Sequence, residues 1–217
     1  MSIILAAAIG LATDIPGSSV PRGMTKMSID ETRRLEAYFG DCVVKRQPKL
    51  ALEFVLRQGR VSTARDALEQ MEAASKLAIE NCVLRPSDTA TEVGLKLPGN
   101  MMLYVLANSL FKRNFAARPP LGNLEQIPQS QQGAFLDNFG DCIVRRDAQS
   151  VHTLLRTKVV SAEEDNAFAA LQPAMRNCLV ANSTVKLNKA IVRGAVAYNY
   201  ILLANAARTQ LAAGASK

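Results

Sequence analysis

FGDCVVKR at residues 39–46 returns, almost letter for letter, as FGDCIVRR at residues 139–146. Only Val43 and Lys45 change, to Ile143 and Arg145, so polarity and charge are kept at every position. Self-similarity at a fixed interval marks a repeated structural unit. The flanking residues extend the match, and residues 28–113 laid over 128–208 run in step. The expected fold is all-α: a tandem repeat of two four-helix units packed as a pseudo-two-fold globule. Its parts are a signal-like segment and flexible lead-in over 1–27, unit one over 28–113, a linker over 114–127 and unit two over 128–217.

Each octet closes the first helix of its unit. Ser28 and Glu31 stand at capping-box spacing at the start of SIDETRRLEAYFGDCVVKR. Leu35, Tyr38, Phe39, Cys42 and Val43 then follow the three-four rhythm of one helical face, as Leu136, Phe139, Cys142 and Ile143 do later. Asp41 precedes Lys45 by four residues and Asp141 precedes Arg145 likewise, the favourable order for a helical ion pair. Lys45-Arg46 and Arg145-Arg146 fall in the last turn, where cations meet the negative end of the helix dipole. Every part of the octet thus has a structural reason. The rival reading makes Lys45, Arg46, Arg145 and Arg146 two symmetry-related basic pairs that bind an anion, such as phosphate or an envelope polyanion.

The remaining helices follow in both copies. Pro48 suits a first helical position and Asp147 an N-cap, before short helices carrying Leu50, Phe54 and Val55, or Val151, Leu154 and Leu155. A third helix is expected after Ser62, with Ala64, Ala67, Leu68, Met71 and Ala78 on its buried face. Its counterpart begins after Ser161, which forms a second capping box with Glu164. That helix carries Phe168, Leu171 and Met175, and Pro173 is expected to kink or restart it. Each unit closes with an apolar helix, LPGNMMLYVLANSLF or AIVRGAVAYNYILLANAA. Arg193, Asn199 and Asn205 interrupt the second, and the first is shorter than the roughly 20 residues of a membrane span. Both read as the most buried helices of the core, with no integral membrane span. NFAARPPLGNLEQIPQSQ, with its three prolines and a glycine, separates the copies.

Cys42 and Cys82 belong to one copy, Cys142 and Cys178 to the other. With one histidine in the chain and no C-x-x-C, zinc and redox sites of the common kinds lack support. Of three possible connectivities the repeat selects Cys42–Cys82 and Cys142–Cys178. Closing each loop stabilises by about 4 kcal/mol in the chain-entropy account. Such bonds persist in oxidising compartments. MSIILAAAIGLA is uncharged and ends in a small-x-small pattern cleavable before Thr13, although a positive n-region is missing. It reads either as part of a signal peptide or as an ordinary N-terminus. Together with the paired cysteines it points to a periplasmic or secreted protein.

The formal charge of +7 raises the question of a polyanionic partner. Residues 29–116 hold thirteen Lys/Arg against eleven Asp/Glu, and residues 125–217 hold ten against seven. Cations so diluted by acids do not make the concentrated face of a nucleic-acid surface, and nucleic acid is disfavoured. No G-x-S-x-G, Walker loop or G-x-G-x-x-G occurs. His152 stands where copy one has Leu52, as a boundary residue rather than a catalyst. Glu163, Glu164 and Asp165 form an acid run that a helix N-terminus favours. No catalytic residue, metal or cofactor is expected.

FGDCIVRRDA also resembles a group of uncharacterised exported helical proteins of alphaproteobacteria, which share a C-V-V-R-R core, a later Cys-Leu and a closing helix. The resemblance spans both copies and implies export and a helical repeat, but it transfers no catalytic residue. Copy one departs from the pattern at Lys45 and Gln47, where the group has Arg and Asp. The expected role is a non-catalytic binding or structural component of the cell envelope, its partner an envelope protein or an anionic polymer. The alternative is a polyanion or nucleic-acid binder, and a carboxylate-based hydrolase ranks below both.

Overall fold

Ser28 begins the first helix as its spacing predicts. Its hydroxyl accepts from the Glu31 amide at 3.2 Å, and the Glu31 carboxylate accepts from the Ser28 amide at 2.8 Å. Helix α1 then runs from Ile29 to Arg46. Pro48 opens α2 (Pro48–Gln58), where its missing N–H would have no helical partner anyway. The computed structural model describes residues 27–58, 82, 99–122, 124–129, 135–179 and 187–214. Its further helices are α3 (Gly99–Asn114), α4 (Phe135–Arg146), α5 (Ala148–Arg156), α6 (Ala162–Cys178) and α7 (Lys189–Gly214). A 3-10 turn spans Leu124–Gln126. The described residues contain no strand, so the all-α expectation holds. The helix expected after Ser62 lies outside the described residues.

The two apolar helices form the centre. α3 and α7 pack along each other, α1 lies on α3, and α4 lies on α7. Leu106, Ala107, Leu110 and Phe111 of α3 and Ala195, Val196, Ala197 and Tyr200 of α7 have no exposure. A helix apolar on all sides must be enclosed on all sides. α2 and α5 cover the remaining flanks of this pair, and α6 closes over α4 and α5. Among the described residues no helix is long and apolar enough to cross a membrane.

The glycine of each octet sets the depth of its contact. A Cβ on Gly40 would lie 2.7 Å from both Ser109 Oγ and Val105 Cγ1 of α3. One on Gly140 would strike Asn199 Nδ2 and lie 2.7 Å from the Ala195 carbonyl oxygen of α7. Phe39, Val43 and Val44 are buried beside the first contact, and Phe139, Ile143 and Val144 beside the second. The octet is thus a close-packing surface in both places.

Both sulfur bridges take the expected pairing. Cys42–Cys82 has a Cα–Cα distance of 5.7 Å and Cys142–Cys178 one of 5.8 Å, within the usual range for disulfides.

Several local expectations need correction. Tyr38 and Leu50, assigned to buried faces, are 55% and 38% exposed. Each lies on a helix whose inward stripe is already filled, by Phe39 and Val43 or by Phe54 and Val55. Pro173 does not restart its helix: α6 continues to Cys178, with Leu171 and Ala174 buried on either side of the proline. His152 is no boundary residue. It is 3% exposed, and Phe111 meets it edge-on at 5.3 Å between ring centroids. Its Nε2 lies 3.3 Å from the Phe115 carbonyl oxygen, which can only accept, so Nε2 is the donor in this contact.

Candidate functional site

The densest polar chemistry among the described residues is a buried cluster of Arg33, Glu164 and Arg193. Helix α1 supplies Arg33, the first turn of α6 supplies Glu164, and α7 supplies Arg193. Glu164 has no exposure and Arg193 only 3%. A charge taken so far out of water must be paired and hydrogen-bonded. Arg33 Nη2 lies 2.8 Å from each Glu164 carboxylate oxygen. Arg193 Nη1 donates to the same carboxylate at 3.0 Å. The Val160 amide adds a third donor, and a fourth bond, at 2.9 Å.

Arg193 is saturated. Its Nε donates to Asn108 of α3, Nη1 also to Thr157 Oγ1, and Nη2 to the carbonyls of Leu155 and Thr157. Burial works against its charge, and Glu164 opposes that cost. Val160 adopts φ of 59°, in the left-handed region that a β-branched residue rarely occupies. This conformation turns its amide toward the carboxylate. Backbone strain of this kind costs about 1–3 kcal/mol and persists where surrounding contacts fix it. The Glu164 side chain is therefore diverted from the capping box. Ser161 still accepts from the Glu164 amide at 3.2 Å, but the carboxylate turns inward to the arginines.

The octet cations separate into two kinds. Lys45, Arg46 and Arg146 are exposed at helix ends. Arg145 is partly buried and committed: Nε donates to Asp141 at 2.8 Å, and Nη1 to the carbonyls of Leu124 and Ile127 at 2.7 and 2.8 Å. With Leu124 and Ile127 each 6% exposed, the segment after α3 is packed into the core and gripped by this arginine. Asp41 takes a different partner from Asp141. It accepts from Ser109 Oγ at 2.6 Å and from Lys112 at 3.2 Å, both on α3, so the expected pair with Lys45 is replaced by contacts between helices.

The sequence did hold a clue to the cluster. Arg193 is the sole charged residue between Lys189 and Arg208, inside the most apolar helix. A lone charge in a fully buried helix demands a buried partner. Glu164 was hidden by a plausible capping role, and Arg33 carries no sign in its neighbourhood.

Arg33 and Arg193 also line a cleft. Its inner end, about 40 Å³, lies between Arg33, Glu36, Tyr104, Asn108 and Arg193. A wider mouth of about 350 Å³ adjoins it, sharing Arg33, Glu36, Met101 and Ala190 and adding Met27 and Ile29. Burial raises the Glu36 carboxyl above its usual range, with Arg33 acting in the opposite sense. No group of three or more His, Cys, Asp or Glu among the described residues is placed to hold a metal.

Comparison of the chain with protein-family models, with curated proteins and with solved structures finds no match. Function has to be argued from the site and the fold.

Proposed function

We propose that the protein is an exported, non-catalytic binding or structural component of the cell envelope, built by duplication of one helical unit. The two disulfides carry the reading, because such bonds persist outside the reducing cytoplasm. The full engagement of Glu164 and Arg193 with each other and their neighbours supports a structural use of these charges, since a general acid or base works with a proton it can exchange. Duplication is supported by equivalent contacts. Gly40 rests on Val105 and Ser109, Gly140 on Ala195 and Asn199, and both pairs are related by a shift of ninety residues. The same shift relates Tyr104 to Gly194, and these two residues touch, as neighbours of a two-fold axis would.

The test is to fractionate the producing cells and map peptides of the isolated protein without reduction. We expect the protein in the periplasmic or secreted fraction with Cys42 joined to Cys82 and Cys142 to Cys178. A cytoplasmic protein with four free thiols overturns the proposal.

A second reading, binding of an anionic polymer, is favoured by the exposure of Lys45, Arg46 and Arg146. It requires retention on heparin that falls steeply with salt. Elution at low salt, unchanged by neutralising these three side chains, removes it.

A further inference from the structure

We propose that the cleft beside Arg33 binds a small organic carboxylate, with the carboxylate at the inner end and an apolar body in the mouth. Two arginines share the single carboxylate of Glu164, and Arg33 is the one left incompletely partnered. Its side chain is 10% exposed, and its buried Nε meets no acceptor among the described residues. A buried donor of this kind is costly to leave unmet. The inner end, about 40 Å³, has room for a small group of a few heavy atoms, which suits a carboxylate better than a bulky polyanion.

The mouth has a different character. Met27, Ile29 and Met101 form an apolar part of its lining, with Asp30, Thr32, Asn188 and Lys189 beside them, and Ile29 is 75% exposed. Apolar walls leading to a few placed polar groups are the usual form of a small-molecule site. Glu36 lines both parts and Asp30 the mouth, two carboxylates that would compete with an incoming anion, while Lys189 at the mouth would favour it. The site is independent of the cellular compartment and of the envelope role proposed above.

The experiment is calorimetric titration of the full chain at low salt with octanoate, octyl phosphate and octanol. We expect octanoate to bind most tightly and octanol at least tenfold more weakly. Ala190→Glu adds a carboxylate to Glu36 and Asp30 in the cleft while leaving Arg33, Glu164 and Arg193 themselves unchanged, and should weaken octanoate at least tenfold while leaving the melting temperature in place. Glu36→Gln removes one competing charge and should bind octanoate as tightly or more so. Equal binding of octanol, tighter binding of octyl phosphate, weaker binding by Glu36→Gln or indifference to Ala190→Glu would each overturn the assignment.

Discussion

At the scale of single residues, Glu164 has the largest consequences. It holds Arg33, Arg193 and the strained Val160 backbone at once. Removing one member of a buried ion cluster leaves the others charged and unpaired, at a cost of about 3–5 kcal/mol. Glu164→Ala is therefore expected to lower the unfolding free energy by about that amount, read from urea denaturation. Replacing Arg33, Glu164 and Arg193 together with apolar residues of similar volume should cost much less than the single change, because no orphaned charge remains. An effect of Glu164→Ala below 1 kcal/mol would show that the cluster is solvated rather than dry.

At the scale of elements, the disulfides and the central helices divide the work of stabilisation. Cys142–Cys178 ties the end of α4's inner face to the end of α6 across 36 residues. Replacing both cysteines with alanine should cost about 4 kcal/mol by the loop-entropy argument, with α6 loosened before α7 in hydrogen exchange. The central helices are vulnerable to alkali instead. Burial first, and the Asp137 charge second, push the Tyr104 hydroxyl up to about 12, and Tyr198 is raised further by burial, Asp137 and Tyr104. Below the ordinary tyrosine value of 10.0 both states are protonated and stability is intact. As pH rises from there toward 12 the unfolded chain ionises first, so stability falls. A melting temperature that stays flat across this window, with tyrosinate absorbance already developed in the folded protein, would contradict that burial.

At the scale of the whole molecule, polar bonds tie the helices before Leu124 to those after it. Arg33 of α1 reaches Glu164 of α6, Arg193 of α7 reaches Asn108 of α3, and α3 lies along α7. Arg145 adds a clasp on the connecting segment through the carbonyls of Leu124, Ile127 and Pro128. Losing these charge-assisted bonds in Arg145→Gln should cost roughly 1.5–3 kcal/mol. Limited proteolysis of that variant should begin within residues 114–129, where the parent chain resists. Equal cleavage in both would mean that burial of Leu124 and Ile127 holds the segment unaided.

The sequence by itself determined the helical class, the repeated octet and the cysteine pairing. Each of these is written in local periodicity or in self-similarity, and neither depends on what lies across the core. Phe39 and Phe139 could be assigned inward, and Ser28 to a cap, from spacing alone. Tertiary structure decided the rest. Identical octets place Asp41 against α3 and Asp141 on its own helix, because Ser109 and Lys112 are present on one side and Arg145 is drawn to the connecting segment on the other. Glu164 read as a cap because sequence spacing describes only its own helix. Its real partners lie 131 and 29 residues away, and the free energy of a buried charge is fixed by whichever groups the fold brings to it, at any distance along the chain.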